Sequence, residues 1–201
     1  MRINYGVFKL SSRPLMPRIP LLILLSFGLF AKIVHGQDLW WQTILSEAPI
    51  SQVKQVIEDG GIWYDCEVHQ QGVVFCLDDF HYYHQPLYGE AILTGEEIRF
   101  SFLTDYQAQN LNELILNLRK DGLVLTRVEI QGERYDVKER LKDNLSRTVD
   151  KELILFINRY SQKAPRSMSW VLADEFDAPK PRLTVTLNSD GEMIELKVIR
   201  F

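Results

Sequence analysis

The chain has 201 residues, 27 acidic against 23 basic, with a formal net charge of −4 and two cysteines. That length suits a single domain with its own core. The acidic balance repels a phosphate backbone, so nucleic acid is excluded as the expected partner. Two cysteines with few histidines give no zinc-ligand spacing.

The first 36 residues differ in kind from the rest. They hold five basic residues (Arg2, Lys9, Arg13, Arg18, Lys32) and no acidic one. Within them "PLLILLSFGLFA", Pro20 to Ala31, is an apolar run of signal-peptide length, short of the roughly 20 residues that span a bilayer. Val34 and Gly36 suit the small-residue positions before a signal-peptidase cut. Residues 1–36 therefore read as a signal peptide cleaved after Gly36, with Met16 as an alternative start. The competing reading is an uncleaved N-terminal anchor, which would carry Lys32 and His35 into hydrocarbon at a cost. Loss of the leader leaves 18 basic residues against 27 acidic, a net of −9, on residues 37–201. That segment is expected to be one soluble domain, periplasmic or secreted.

"LWWQTILSEA" predicts a first helix with Asp38 as N-cap. Pro49 interrupts it, and "APISQVKQVIEDGG" continues as a short second helix with Ile50, Val53, Val56 and Ile57 on one face and two glycines to end it. "GIWYDCEV" and "VVFCL" are rich in aromatic and β-branched residues and read as strands. A three-residue loop, Gln70-Gln71-Gly72, would close them as a hairpin and set Cys66 directly opposite Cys76. In an oxidising compartment those two thiols are expected to form a disulfide.

"DDFHYYHQPLY" reads as an irregular aromatic segment in which Pro86 limits any strand. "EAILTGEEIRFSFL" is two strands around Gly95-Glu96. "LTDYQAQNLNELILNLRKDG" is the strongest helix, capped by Thr104 or Asp105, with a stripe of Leu111, Leu114, Ile115 and Leu118 and a stop at Gly122. A hairpin around Gln131-Gly132 follows. "VDKELILFINRYSQK" is a second main helix, with burial expected from Leu153 through Ile157. "SMSWVLAD" is a strand, and a hairpin turning at Asn188 to Gly191 closes the chain.

The fold class this order predicts is α+β. A mostly antiparallel sheet is built from hairpins, two main helices pack on one face, and short helices stand at the N-terminus. No Gly-rich phosphate loop is present, so a nucleotide-binding parallel sheet is disfavoured.

The densest chemistry lies at "DDFHYYH". On a helical turn Asp78, His81 and His84 would share a face and could hold a divalent metal; on a strand the two histidines would diverge. Tyr82, Tyr83 and Tyr88 are the candidate partner-binding aromatics, since tyrosines anchor interfaces, while Trp63, Phe75 and Phe80 suit the core. The serines lack a nucleophile elbow and both cysteines are committed to the bridge, so no catalytic residue and no cofactor are assigned.

Charge is unevenly spread. From Glu58 to Glu113 there are 11 acidic residues and one basic, Arg99; from Arg119 to Arg166 there are 12 basic and 8 acidic. The expected function is an exported, non-enzymatic binding or accessory protein using an aromatic, acidic surface near the hairpin. Its partner would be a protein or cell-envelope component, with membrane contact only through an uncleaved leader. A metal-binding protein or metal-dependent enzyme centred on Asp78, His81 and His84 is the alternative.

Overall fold

The computed structural model describes residues 36–69 and 72–201, which form one compact unit. The leader expected at 1–36, its alternative start at Met16 and the turn residues Gln70 and Gln71 lie outside the described residues, apart from Gly36. Among the described residues no helix is long and apolar enough to cross a membrane.

The domain is α+β. Two short helices, α1 (Gly36–Leu45) and α2 (Ile50–Asp59), precede four strands, β1 (Tyr64–His69), β2 (Gly72–Tyr82), β3 (Gln85–Leu93) and β4 (Ile98–Asp105). Helix α3 (Ala108–Lys120) leads to β5 (Leu123–Ile130) and β6 (Glu133–Asp136), then to α4 (Val137–Asp143) and α5 (Ser146–Ile157). Strands β7 (Arg166–Leu172), β8 (Leu183–Ser189) and β9 (Met193–Arg200) finish the chain. All strands join one antiparallel sheet in the order β1-β2-β3-β4-β9-β8-β7-β5-β6. The last strand thus lies at its centre, pairing Phe100 of β4 and Val185 of β8 with Val198.

Alternation along the strands decides which face is covered. Leu183, Val185 and Leu187 of β8 and Ile194, Leu196 and Val198 of β9 are at most 1% exposed. They share one core cluster with Trp40 and Ile44 of α1, Val53 of α2, Leu114 of α3, Val137 of α4 and Phe156 of α5. Every described helix therefore packs on the same face. The opposite face carries the row Glu90–Ser101–Lys197–Thr186–Ser169, read across the register of β3, β4, β9, β8 and β7.

At one end of the core Trp40 is boxed by Trp63, Phe80, Phe100 and Phe102, with ring centroids 4.8–6.2 Å away. Room for this cluster depends on a residue without a side chain. A Cβ on Gly89 would lie 2.9 Å from the Phe102 ring, so only glycine lets that ring lie across β3.

Several local expectations change. Helix α1 is already formed at Gly36, so Asp38 lies inside it and is not its N-cap. Thr104 and Asp105 belong to β4, and α3 is preceded by Gln107 with no side-chain cap. Helix α4 was not expected; Asp136 caps it by accepting from the Glu139 amide at 3.0 Å. In α5, Val149, Leu153 and Phe156 are buried, but Ile154 and Leu155 are 58% and 63% exposed. A helix covered on one side cannot bury five consecutive residues.

The cysteine hairpin forms in a different register. His69 pairs with Gly72 and Val68 with Val73, so the loop has two residues, and a bulge between Asp65 and Glu67 makes Tyr64 the partner of Cys76. Without the bulge Cys66 would oppose Phe75 and point away from Cys76; the extra residue turns its sulfur back. The disulfide Cys66–Cys76 is formed, with Cα atoms 5.7 Å apart.

Candidate functional site

Strand β2 continues through "DDFHY" to Tyr82, and Pro86 sits within β3 opposite His81. The segment expected to be irregular is thus a hairpin closed by two residues, Tyr83 and His84. Tyr83 adopts φ 59°, a left-handed conformation that strains a bulky side chain. Its surroundings hold it there. Its hydroxyl donates to Asp121 Oδ1 at 2.6 Å, its ring meets Tyr82 edge-on at 5.3 Å, and Lys120 Nζ lies 5.0 Å from its centroid.

Asp121 is the residue on which this corner converges. It follows α3 directly, at the negative end of the helix dipole, where a carboxylate is poorly placed. Three donors offset that. Trp41 Nε1 from α1 reaches Oδ2 at 2.8 Å, the Tyr82 hydroxyl from β2 reaches Oδ2 at 2.6 Å, and Tyr83 takes Oδ1. Burial of Tyr82, together with the neighbouring Asp121 charge, pushes its phenol far above the ordinary tyrosine range. These groups and Gln42, Phe80 and His81 line a cleft of about 310 Å³.

The histidines and aspartates take other positions. Asp78 accepts from the Tyr64 hydroxyl at 2.7 Å, and that bond raises the Tyr64 pKa. His81 Nδ1 lies 3.1 Å from Asp79 Oδ1, and His84 sits in the turn, exposed. The helical turn that would align Asp78, His81 and His84 is a strand interrupted by a bulge between Leu77 and Phe80. Among the described residues no group of three or more His, Cys, Asp or Glu is placed to hold a metal ion.

The tyrosines divide. Tyr82 is 1% exposed, so it is a core residue and not a partner-facing one; Tyr83 is 44% and Tyr88 66% exposed. Trp63, just before β1, and Phe75 and Phe80 of β2 are buried, as expected of core aromatics.

Compared with family models, curated proteins and solved structures, the chain matches none.

Tyr88 opens onto a second feature, on the sheet face that none of the described helices covers. It pairs with Leu103 of β4, which pairs with Glu195 of β9, while Asp105 pairs with Met193. Leu103 and Met193 are 40% and 37% exposed and line a shallow depression of about 440 Å³ with Asn188, Asp190 and Glu195. Glu195 is held in place by Ser101 at 3.0 Å, Asn188 at 3.3 Å and Lys197 at 3.0 Å. Burial pushes its pKa up, but these three bonds outweigh it and hold the carboxyl below its usual value.

Neither Asp121 nor the Leu103–Met193 pair was singled out in the sequence. Asp121 read only as part of the α3 stop. Leu103 and Met193 are 90 residues apart and meet only because β9 inserts beside β4.

Proposed function

We propose that this protein is an exported, non-catalytic binding or accessory domain. It holds a protein or cell-envelope partner against the uncovered face of its sheet, over Tyr88, Leu103 and Met193. One observation carries the reading: three large exposed side chains stand together on the face that none of the described helices covers, and are bordered by Glu90, Asp105, Asp190 and Glu195. An apolar patch with a polar rim is how interaction sites on soluble domains are built. The acidic border favours a partner that brings basic residues to it.

Two features support the exported part of this reading. The leader-like segment precedes Gln37, and a cut after Gly36 leaves Trp40, Trp41 and Ile44 in the core. The Cys66–Cys76 bridge suits an oxidising compartment.

Photo-crosslinking tests the binding face. A benzophenone side chain placed at position 88 or 103 in the protein inside living cells is expected to yield a discrete adduct, and one at Thr148 on α5 is not. The adduct should disappear when Met193 is changed to Asp. The same adduct pattern from all three positions, or none from 88 and 103, removes the reading.

A further inference from the structure

We propose that the cleft behind the Tyr83–His84 turn binds the charged head of an organic amine, a primary ammonium or guanidinium group on a short aliphatic chain. Its volume, about 310 Å³, stands at the small end of the roughly 300–1,000 Å³ typical of ligand pockets, room for a head group and a few methylenes. Its walls are Trp41, Phe80, Tyr82 and Tyr83, and its polar end is the Asp121 carboxylate.

The hydrogen-bond inventory sets the sign of the ligand. Trp41 Nε1 and the hydroxyls of Tyr82 and Tyr83 have each given their one proton to Asp121. Among the described residues Oδ1 accepts the Tyr83 bond alone, which leaves it a second lone pair. Beside the exposed side chains of Gln42 and His81, the cleft therefore offers an acceptor and ring faces, whose quadrupole is negative. An anion would meet a carboxylate whose aromatic donors are already committed, leaving the exposed Gln42 and His81 as its donors among the lining residues. A neutral alcohol gains one bond and no charge term. An ammonium or guanidinium gains a charge-assisted bond together with the faces of the rings.

Among the described residues, the neighbouring cation Lys120 does not line this space. Lys120 bonds to Asn117 Oδ1 at 3.1 Å and sits over the Tyr83 ring, but it is not among the residues lining the cleft. The strained φ of Tyr83 also acquires a role, because it holds the ring as a wall of the cleft. The site is separate from the open sheet face: Tyr88, Leu103 and Met193 do not line it.

The test uses protein expressed from the full 201-residue sequence with 15N-labelled indoles. Its four tryptophans include Trp41, whose Nε1–H points at Asp121. Titration with n-butylamine or n-butylguanidine at constant ionic strength and pH 7 is expected to shift the Trp41 indole resonance saturably. 1-Butanol at the same concentration is expected to leave it in place. Asp121→Asn should weaken the amines about tenfold or more. Because that change also removes a structural acceptor, Gln42→Glu at the exposed rim provides a second reading and should tighten amine binding in a folded protein. The proposal is overturned if neither cation gives a saturable shift, if butanol matches them, or if Trp40, Trp63 and Trp170 respond as strongly as Trp41. It is also overturned if Gln42→Glu leaves the amine affinity unchanged.

Discussion

The Tyr82 hydroxyl donates to Asp121 Oδ2 at 2.6 Å, joining the last residue of β2 to the residue that closes α3. Trp41 reaches the same oxygen from α1, so one carboxylate ties three elements that are distant in sequence. Asp121→Ala would leave a buried phenol and a buried indole without their acceptor, and the expected loss is about 2–4 kcal/mol. Tyr82→Phe removes a single donor and should cost about 1 kcal/mol. Urea unfolding of both variants gives the comparison. An Asp121→Ala protein as stable as the parent would mean that the carboxylate does not hold this corner together.

The same bond gives stability an alkaline limit. Burial beside Asp121 raises the folded Tyr82 pKa, whereas in the unfolded chain it lies near 10. Below that value both states hold the proton and stability is unaffected. Above it the unfolded chain ionises first, so stability should fall by about 1.4 kcal/mol per pH unit for this group. Denaturant midpoints measured from pH 8 to 11 should decline beyond 10, and Tyr82→Phe should flatten the decline. An identical slope in that variant would assign the effect to other tyrosines.

The Cys66–Cys76 bridge closes a short loop at the sheet edge. By loop-entropy reasoning its reduction should lower stability by about 2–3 kcal/mol. Thermal melts with and without reductant, and of the Cys66→Ser/Cys76→Ser double variant, measure this. The reduced parent and the double variant should agree; if reduction leaves the midpoint in place, β1 is held by its ladder alone.

Gly89 faces Phe102 across a gap that admits no methyl group. Gly89→Ala is expected to destabilise by about 1–3 kcal/mol through displacement of a fully buried ring. Near-ultraviolet circular dichroism of the aromatic cluster should change with it. Unchanged stability and spectrum would show that the β3–β4 core adjusts more freely than its packing implies.

Local patterns carried most of the architecture. The stripe Leu111–Leu114–Leu118, the Gly122 stop and the Gln131-Gly132 turn are decided by neighbours in the chain, and each forms where it was expected. Gln131 and Gly132 both have positive φ, as a two-residue hairpin turn requires. Structure departs from local pattern where distant partners decide. "DDFHYYH" looked irregular because its bulge is invisible in composition, and Pro86 fits a strand once its partner is known. The Cys66 register depended on a bulge that no residue type announces. The candidate sites were the least readable. Asp121 acquires its meaning from Trp41, 80 residues away, and the open-face patch exists only because the C-terminal strand enters the middle of the sheet.

The proposed domain works outside the cytosol as an oxidised, processed protein. Intact mass spectrometry of the native protein, alkylated under denaturing conditions without reductant, tests this in one spectrum. The predicted mass is that of residues 37–201, two hydrogens lighter than the dithiol and carrying no alkyl group. A mass that includes residues 1–36 with both Cys66 and Cys76 alkylated would contradict it.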